Sequence, residues 1–290
     1  MHFSAFRPRA YLLMMSSSSS KFYTSMGGQH VMRIQSVLMK VFIVTAGVYF
    51  MNQGIALAAN QEPVKNVVLV HGAWADGSSW AKVIPLLEER GLHVVAVQNP
   101  LSSLADDVAA TKRIIDAQDG PVILVGHSYG GAVISDAGNH PKVARLVYVA
   151  AFGPDTGESL GTTAKDFAPA PVGPEVTPIE DGFLVLTKKG VAEDFAQDLS
   201  AGEKQVLFAT QGPTSGSVFG VPMSDAAWHH KPSYYVVAEN DRMINPDYER
   251  FAAKRMGAKT LALPTSHVPM LSKPKEVAAF IAAAAAGSKS

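Results

Sequence analysis

Residues Gly126-His127-Ser128-Tyr129-Gly130 carry the spacing G-x-S-x-G. A serine hydroxyl is a weak nucleophile alone. It needs a base to take its proton and donors to hold the oxyanion that its attack creates. Residues 121–125 ahead of the motif read as a strand, and 131–137 after it as a helix of small residues. Such a strand-turn-helix junction strains the serine backbone and exposes the hydroxyl at the carboxyl end of the strand. The start of the helix then favours developing negative charge. Flanking glycines keep neighbouring chain from clashing at so tight a turn.

The base is sought among nine histidines. His267 follows an apolar run at 260–263 through Pro264-Thr265-Ser266 and precedes the last helical stretch, which puts it at the carboxyl edge of a sheet. A neutral imidazole there can take the Ser128 proton and return it to a leaving group. His229 and His230 precede a strand at its amino end, His93 begins a strand, and His140 ends a helix. Glu239-Asn240-Asp241 follows the run at 234–238, and Asp241 is the chosen acid. Glu239 leaves the strand two residues too early, and Asp155 is a third candidate. His71-Gly72-Ala73-Trp74 directly follows the first strand. The backbone N–H groups of Ala73 and Tyr129 are the expected oxyanion donors, with His71 read as a hydrogen-bonded residue that fixes the loop. Trp74, Phe152, Phe219, Trp228 and Met243 are candidate apolar walls, each equally able to be packing residues.

These residues need a scaffold that presents strand ends together. Runs at 66–70, 92–97, 122–125, 146–149, 234–238 and 260–263 are apolar on both faces, as buried parallel strands are. Helical patterns lie between them near 79–90, 103–117, 129–138, 246–256 and 274–285. Alternating β and α predicts a doubly wound, mostly parallel α/β sheet. The rhythm breaks between Phe152 and Ser233. A structureless loop of that length does not suit a compact domain, so 153–232 reads as a small lid inserted before the penultimate strand, with weak helical patches near 189–209.

The chain has 290 residues, 25 Lys+Arg against 25 Asp+Glu, and no cysteine. Absent cysteine excludes disulfide scaffolding, thiol catalysis and thiolate zinc sites. The neutral sum has two parts. Residues 1–58 hold Arg7, Arg9, Lys21, Arg33 and Lys40 without one Asp or Glu, leaving a formal charge of −5 on 59–290. A folded part of that sign speaks against a nucleic-acid partner. From Met39 the leader has signal-peptide logic: Lys40, an apolar stretch at 41–51, then Ala56-Leu57-Ala58 as a small-x-small site. Either Met32 or Met39 suits the start of such a peptide. The expectation is an exported protein, periplasmic or secreted, with no stable membrane span after cleavage and a membrane anchor if cleavage fails.

With the motifs VVLVHGAW, VILVGHSYGG, VYVAAFGPD, VVAENDRMI and SHVPMLSKP in view, the chain from Val64 to Ala285 resembles the α/β-hydrolases, in the small branch of plant methyl-ester esterases, hydroxynitrile lyases and bacterial relatives. The chain order Ser–Asp–His is theirs. The resemblance implies Ser128 as nucleophile, Asp241 as acid, His267 as base, and Ala73 with Tyr129 as oxyanion donors. The lyases carry a threonine after the first histidine and a lysine after the catalytic one, where this chain has Gly72 and Val268. Without that lysine, cyanide has no cation to hold it, and hydrolysis is favoured. The expected activity is therefore cofactor-free serine hydrolysis of small carboxylic esters or amides through an acyl-enzyme. The alternatives are lyase chemistry on the same triad and a ligand-binding protein with a vestigial site. No HExxH, P-loop or dinucleotide GxGxxG motif is present, so neither metal nor nucleotide cofactor is expected. The leader reading predicts that N-terminal sequencing of exported protein starts at Ala59; a mature chain beginning near Met1 contradicts it.

Overall fold

The computed structural model describes residues 64–287, so the leader and its cleavage site lie outside the described residues. The described chain runs through β1 (Asn66–Val70), α1 (Ile84–Glu88), β2 (His93–Ala96), α2 (Leu104–Asp116), β3 (Val122–His127), α3 (Gly130–Ala137) and β4 (Val143–Val149). An inserted cap follows, holding β5 (Val176–Pro178), β6 (Phe183–Leu186), α4 (Ala201–Thr210) and β7 (Thr214–Ser215). The core resumes with β8 (Ser233–Ala238), α5 (Pro246–Arg255), β9 (Lys259–Leu263) and α6 (Pro274–Ala286).

Six strands form one parallel sheet in the order β2-β1-β3-β4-β8-β9. The inner strands β1, β3, β4 and β8 are buried on both faces, whereas the runs at 92–97 and 260–263 form the edge strands β2 and β9 and are only partly buried, because each has a neighbour on one side alone. Val68, Val70, Leu124, Tyr148 and Tyr235 belong to one buried cluster with residues of α2, α3 and α5. Val67, Leu69, Ile123, Val125, Val147 and Val236 join the other, with Trp80, Leu87 and the Val277, Ala278 and Ile281 face of α6. Local chemistry sets the helix ends: Ser103 Oγ accepts from Asp106 N at the start of α2, and Gly287 closes α6 at φ 69°.

The topology also locates the site. From β1 the chain goes to one side for β2 and to the other for β3, so the connections leave the carboxyl ends of β1 and β3 in opposite directions. The crevice outside such a switch point is where open α/β sheets bind ligands. The segments that follow these two strands are His71–Trp74 and Ser128–Gly131.

The cap is an independent, smaller construction. β5, β6 and β7 pair antiparallel, and α4 is held at its start by a reciprocal cap between Ser200 and Glu203. The sequence pattern indicates helical patches here but no strands, since β7 has only two residues and β5 ends on a proline. Arg255 of α5 ties the cap's first turn to the core, binding Glu158 Oε1 and Oε2 at 3.0 and 2.8 Å. Among the described residues no helix is long and apolar enough to cross a membrane.

The tightest approach of backbone to a glycine is at Gly131, where an added Cβ would lie 2.0 Å from the Phe152 carbonyl oxygen. Gly202 in α4 has nothing within 4 Å of that position. Gly131→Ala is expected to lower the urea midpoint by the equivalent of about 1–3 kcal/mol or more. Gly202→Ala should leave it unchanged or raise it by up to about 1 kcal/mol. Equal midpoints for the two variants would refute this packing account.

Candidate active site

β3 ends in a turn that forces Ser128 to φ 54°, a left-handed conformation unusual for a residue with a side chain. The backbone around it leaves no alternative. Ser128 N donates towards Val149 O and Ala150 O, both at 3.2 Å, while its carbonyl accepts from Gly131 N at 2.9 Å and Phe152 N at 3.1 Å. The glycines are sterically required: a Cβ on Gly126 would meet Gly130 O at 2.5 Å, and one on Gly130 would meet the Val70 and His71 carbonyls at 2.8 Å. The next residue, Tyr129, begins α3, and its hydroxyl donates to Asp107 Oδ2 at 2.6 Å, clamping the elbow to α2.

The loop after β1 runs directly against this serine. An added Cβ on Gly72 would sit 2.7 Å from Ser128 Cβ, so only glycine allows the approach. His71 holds the loop through both ring nitrogens: Nδ1–H donates to Gly72 O at 2.8 Å, and Nε2 accepts from Asn99 N at 2.9 Å. Burial pushes its pKa down, which keeps it neutral and in that tautomer. Ala73 and Tyr129 are both buried and both line the cavity onto which Ser128 opens. The cavity measures about 160 Å³. Its remaining walls are Trp74, Phe152, Val172, Phe219, Met243 and Ile244. Trp74 stacks on Phe219 of the cap at 5.8 Å, and its indole N–H donates to Leu184 O of β6 at 3.0 Å. Trp228 is packing: its Nε1–H donates to Pro154 O.

Asp241 and His267 meet although they leave different strands. His267 Nδ1–H donates to Asp241 Oδ2 at 2.6 Å, with both side chains fully buried. The other carboxylate oxygen, Oδ1, accepts from the backbone N–H groups of Met243 at 2.7 Å and Ile244 at 2.9 Å. Three donors thus fix the carboxylate in place. His267 Nε2 has no hydrogen-bond partner among the described residues, Ser128 Oγ included. The rival acids are occupied elsewhere: Asp155 pairs with His229 at 2.7 Å, and Glu239 lies near Arg250 at 3.9 Å. Chemically, the structure offers a strained hydroxyl and buried main-chain donors on one apolar cavity, and an imidazole oriented by a buried carboxylate.

Comparison with known proteins agrees with this construction. The family model described as "Alpha/beta hydrolase family" matches residues 67–280. The chain belongs to the alpha/beta hydrolase family. It is 28% identical over 265 residues to Methylesterase 2 of Arabidopsis thaliana, covering 73% of this chain and 92% of the relative. It is 27% identical over 259 residues to a pyrethroid hydrolase of Sphingobium wenxiniae, covering 76% and 87%. A solved pyrethroid hydrolase structure superposes with a TM-score of 0.67 at 27% identity, covering 77% of this chain and 98% of that one.

This alpha/beta hydrolase also uses residues that sequence reading passed over. His127, treated as a variable position of the motif, is fully buried, and its Nε2–H donates to the His267 carbonyl at 2.8 Å. The two rings lie 4.7 Å apart, so this bond ties the serine's neighbour to the base's backbone. Burial, and next the adjacent His267, hold the His127 pKa well below the usual histidine range, so the pair avoids two like charges. Glu249 of α5 is wholly buried, with Oε2 accepting from Ala238 N at 2.9 Å. Burial first, then the Asp241 charge, push its pKa well above the carboxylate range. Neither residue shows a sequence signal, because each depends on partners from distant strands.

For Glu249 the sign of linkage is definite. Its native pKa is raised, so its contribution is full below the unfolded value of about 4.5 and is lost as pH rises through the native value. Glu249 faces Asp241 and Tyr235, and Arg250 is the cation beside it. Glu249→Gln, neutral at all pH, should therefore gain stability relative to wild type between pH 5 and pH 8, by up to about 1.4 kcal/mol per pH unit. Parallel melting-temperature curves for the two proteins would contradict a neutral native Glu249.

Proposed function

We propose that this chain is a cofactor-free serine hydrolase that cleaves small, largely apolar carboxylic esters through an acyl-enzyme. The observation that carries the reading is the His267 Nδ1–H···Asp241 Oδ2 bond at 2.6 Å. It leaves the imidazole Nε2 as an acceptor without a partner among the described residues, while Ser128 opens on an apolar cavity. Two relatives named methylesterase and pyrethroid hydrolase support the same class of chemistry.

In the reaction, Ser128 Oγ attacks the ester carbonyl as His267 Nε2 takes its proton. The carbonyl oxygen becomes an oxyanion held by the N–H groups of Ala73 and Tyr129, at the start of α3. Asp241 keeps the imidazole in the Nδ1–H tautomer and stabilises the imidazolium. The imidazolium then protonates the departing alkoxide, leaving acyl-Ser128 and a free alcohol. Water, deprotonated by His267, attacks the acyl carbon; Ser128 leaves with the proton and the carboxylic acid is released. A cavity of about 160 Å³ walled by Trp74, Phe152 and Phe219 suits a compact apolar or aromatic group beside the scissile bond. The position after His267 is Val268, buried and uncharged, which provides no cation for a cyanide leaving group. The basic leader, in this reading, directs the enzyme out of the cytoplasm.

A fluorophosphonate probe should label wild-type protein and fail on Ser128→Ala. Hydrolysis of 4-nitrophenyl acetate should fall about 10⁵–10⁶-fold in both Ser128→Ala and His267→Ala, because triad members act as a unit. Equal hydrolysis by Ser128→Ala and wild type would overturn the assignment.

A further inference from the structure

Residues 194–198 of the cap, which begin in the π-helical turn Val191–Phe195, reach the loops that hold Asp241 and His267. Wide turns of this kind cost hydrogen-bond geometry and recur at functional sites. Four residues, two at the end of the turn and two just beyond it, make contacts with these loops. Asp194, itself buried, accepts from Arg242 Nε at 2.7 Å. Gln197 Nε2 donates to Asn240 O at 2.6 Å. Asp198 Oδ2 accepts from Ser266 N at 2.9 Å. Phe195, buried between them, sets its ring edge-on to His267 at 5.3 Å and to His127 at 6.3 Å.

The placement of these contacts is specific. Asn240 and Arg242 flank Asp241 in the chain, and Ser266 immediately precedes His267. Each side of the acid and the approach to the base is therefore fastened by a side chain of the cap. The Ser266 amide lies in a residue that is 1% exposed, so losing its acceptor strands a buried donor. Residues 194–198 do not line the cavity. What they hold is the pair of loops, while substrate is held by other residues.

We infer that Asp198, with Gln197 and Asp194, is a positioning element for the Asp241–His267 pair, so that the cap sets the geometry of the proton relay as well as roofing the pocket. The inference rests on the hydrolase reading above. Its signature is a loss in turnover without a loss in binding. Removing the Asp198 carboxylate releases Ser266 and lets the His267 loop shift. Asparagine at 198 keeps an amide oxygen as acceptor for the same N–H.

The test compares wild type, Ser128→Ala, Asp198→Ala, Asp198→Asn and Gln197→Ala, using 4-nitrophenyl acetate kinetics, the rate of fluorophosphonate labelling and melting temperature. Asp198→Ala should lose about ten- to a hundredfold in kcat and in labelling rate with KM within about twofold, the pattern of a misplaced catalytic group. Asp198→Asn should recover most of that loss. If Asp198→Ala does not fold, Gln197→Ala decides, with a severalfold fall in kcat at unchanged melting temperature expected. Wild-type turnover in the folded variant, a change confined to KM, or equal loss in Asp198→Ala and Asp198→Asn would overturn the positioning role. Labelling of Ser128→Ala at the wild-type rate would instead overturn the hydrolase reading itself.

Discussion

The left-handed backbone at Ser128 is the constraint from which the rest of the site follows. A non-glycine residue held there costs on the order of 1–3 kcal/mol, and persists only where its surroundings over-determine it. Here both backbone groups of Ser128 are engaged, and Gly72, Gly126, Gly130 and Gly131 stand where any side chain would collide. The strained turn brings the start of α3 under the hydroxyl and the first loop against its Cβ. Position of the main-chain N–H groups, shape of the cavity and exposure of the Ser128 hydroxyl are thus consequences of one turn.

Burial imposes a second order on the site, through charge. Two carboxyl groups and three imidazoles lie in a region nearly free of solvent, where unpaired charge is costly. Burial holds His71 and His127 below the ordinary histidine range, and Glu249 above the ordinary carboxylate range. The Asp241 carboxylate receives one imidazole and two backbone donors. A single buried carboxylate held by three donors can then organise one imidazole without competition from its neighbours. The cap completes this arrangement by bonding to the residues on either side of that charge.

Much of the fold was legible in the chain because its signals are local. Buried parallel strands announce themselves as continuous apolar runs, and all six core strands fall on them. G-x-S-x-G is legible because the elbow is a five-residue steric problem that few sequences solve. The cap was less legible: β5 and β7 are too short for a periodic pattern, and α4 buries none of its residues. His127 and Glu249 looked ordinary, since a histidine beside a serine and a glutamate in a helix acquire meaning only from what they face.

The sequence alone determined the α/β alternation, the elbow, and the strand ends from which an acid and a base would project, because these depend on residue types a few positions apart. Only the tertiary structure decided which acid meets His267, that His127 bonds to the carbonyl of that residue, and that Asp194, Gln197 and Asp198 reach the same loops. Those choices join segments between 26 and 140 residues apart. Contacts over such separations arise from sheet order and the path of the inserted cap, which no local pattern encodes.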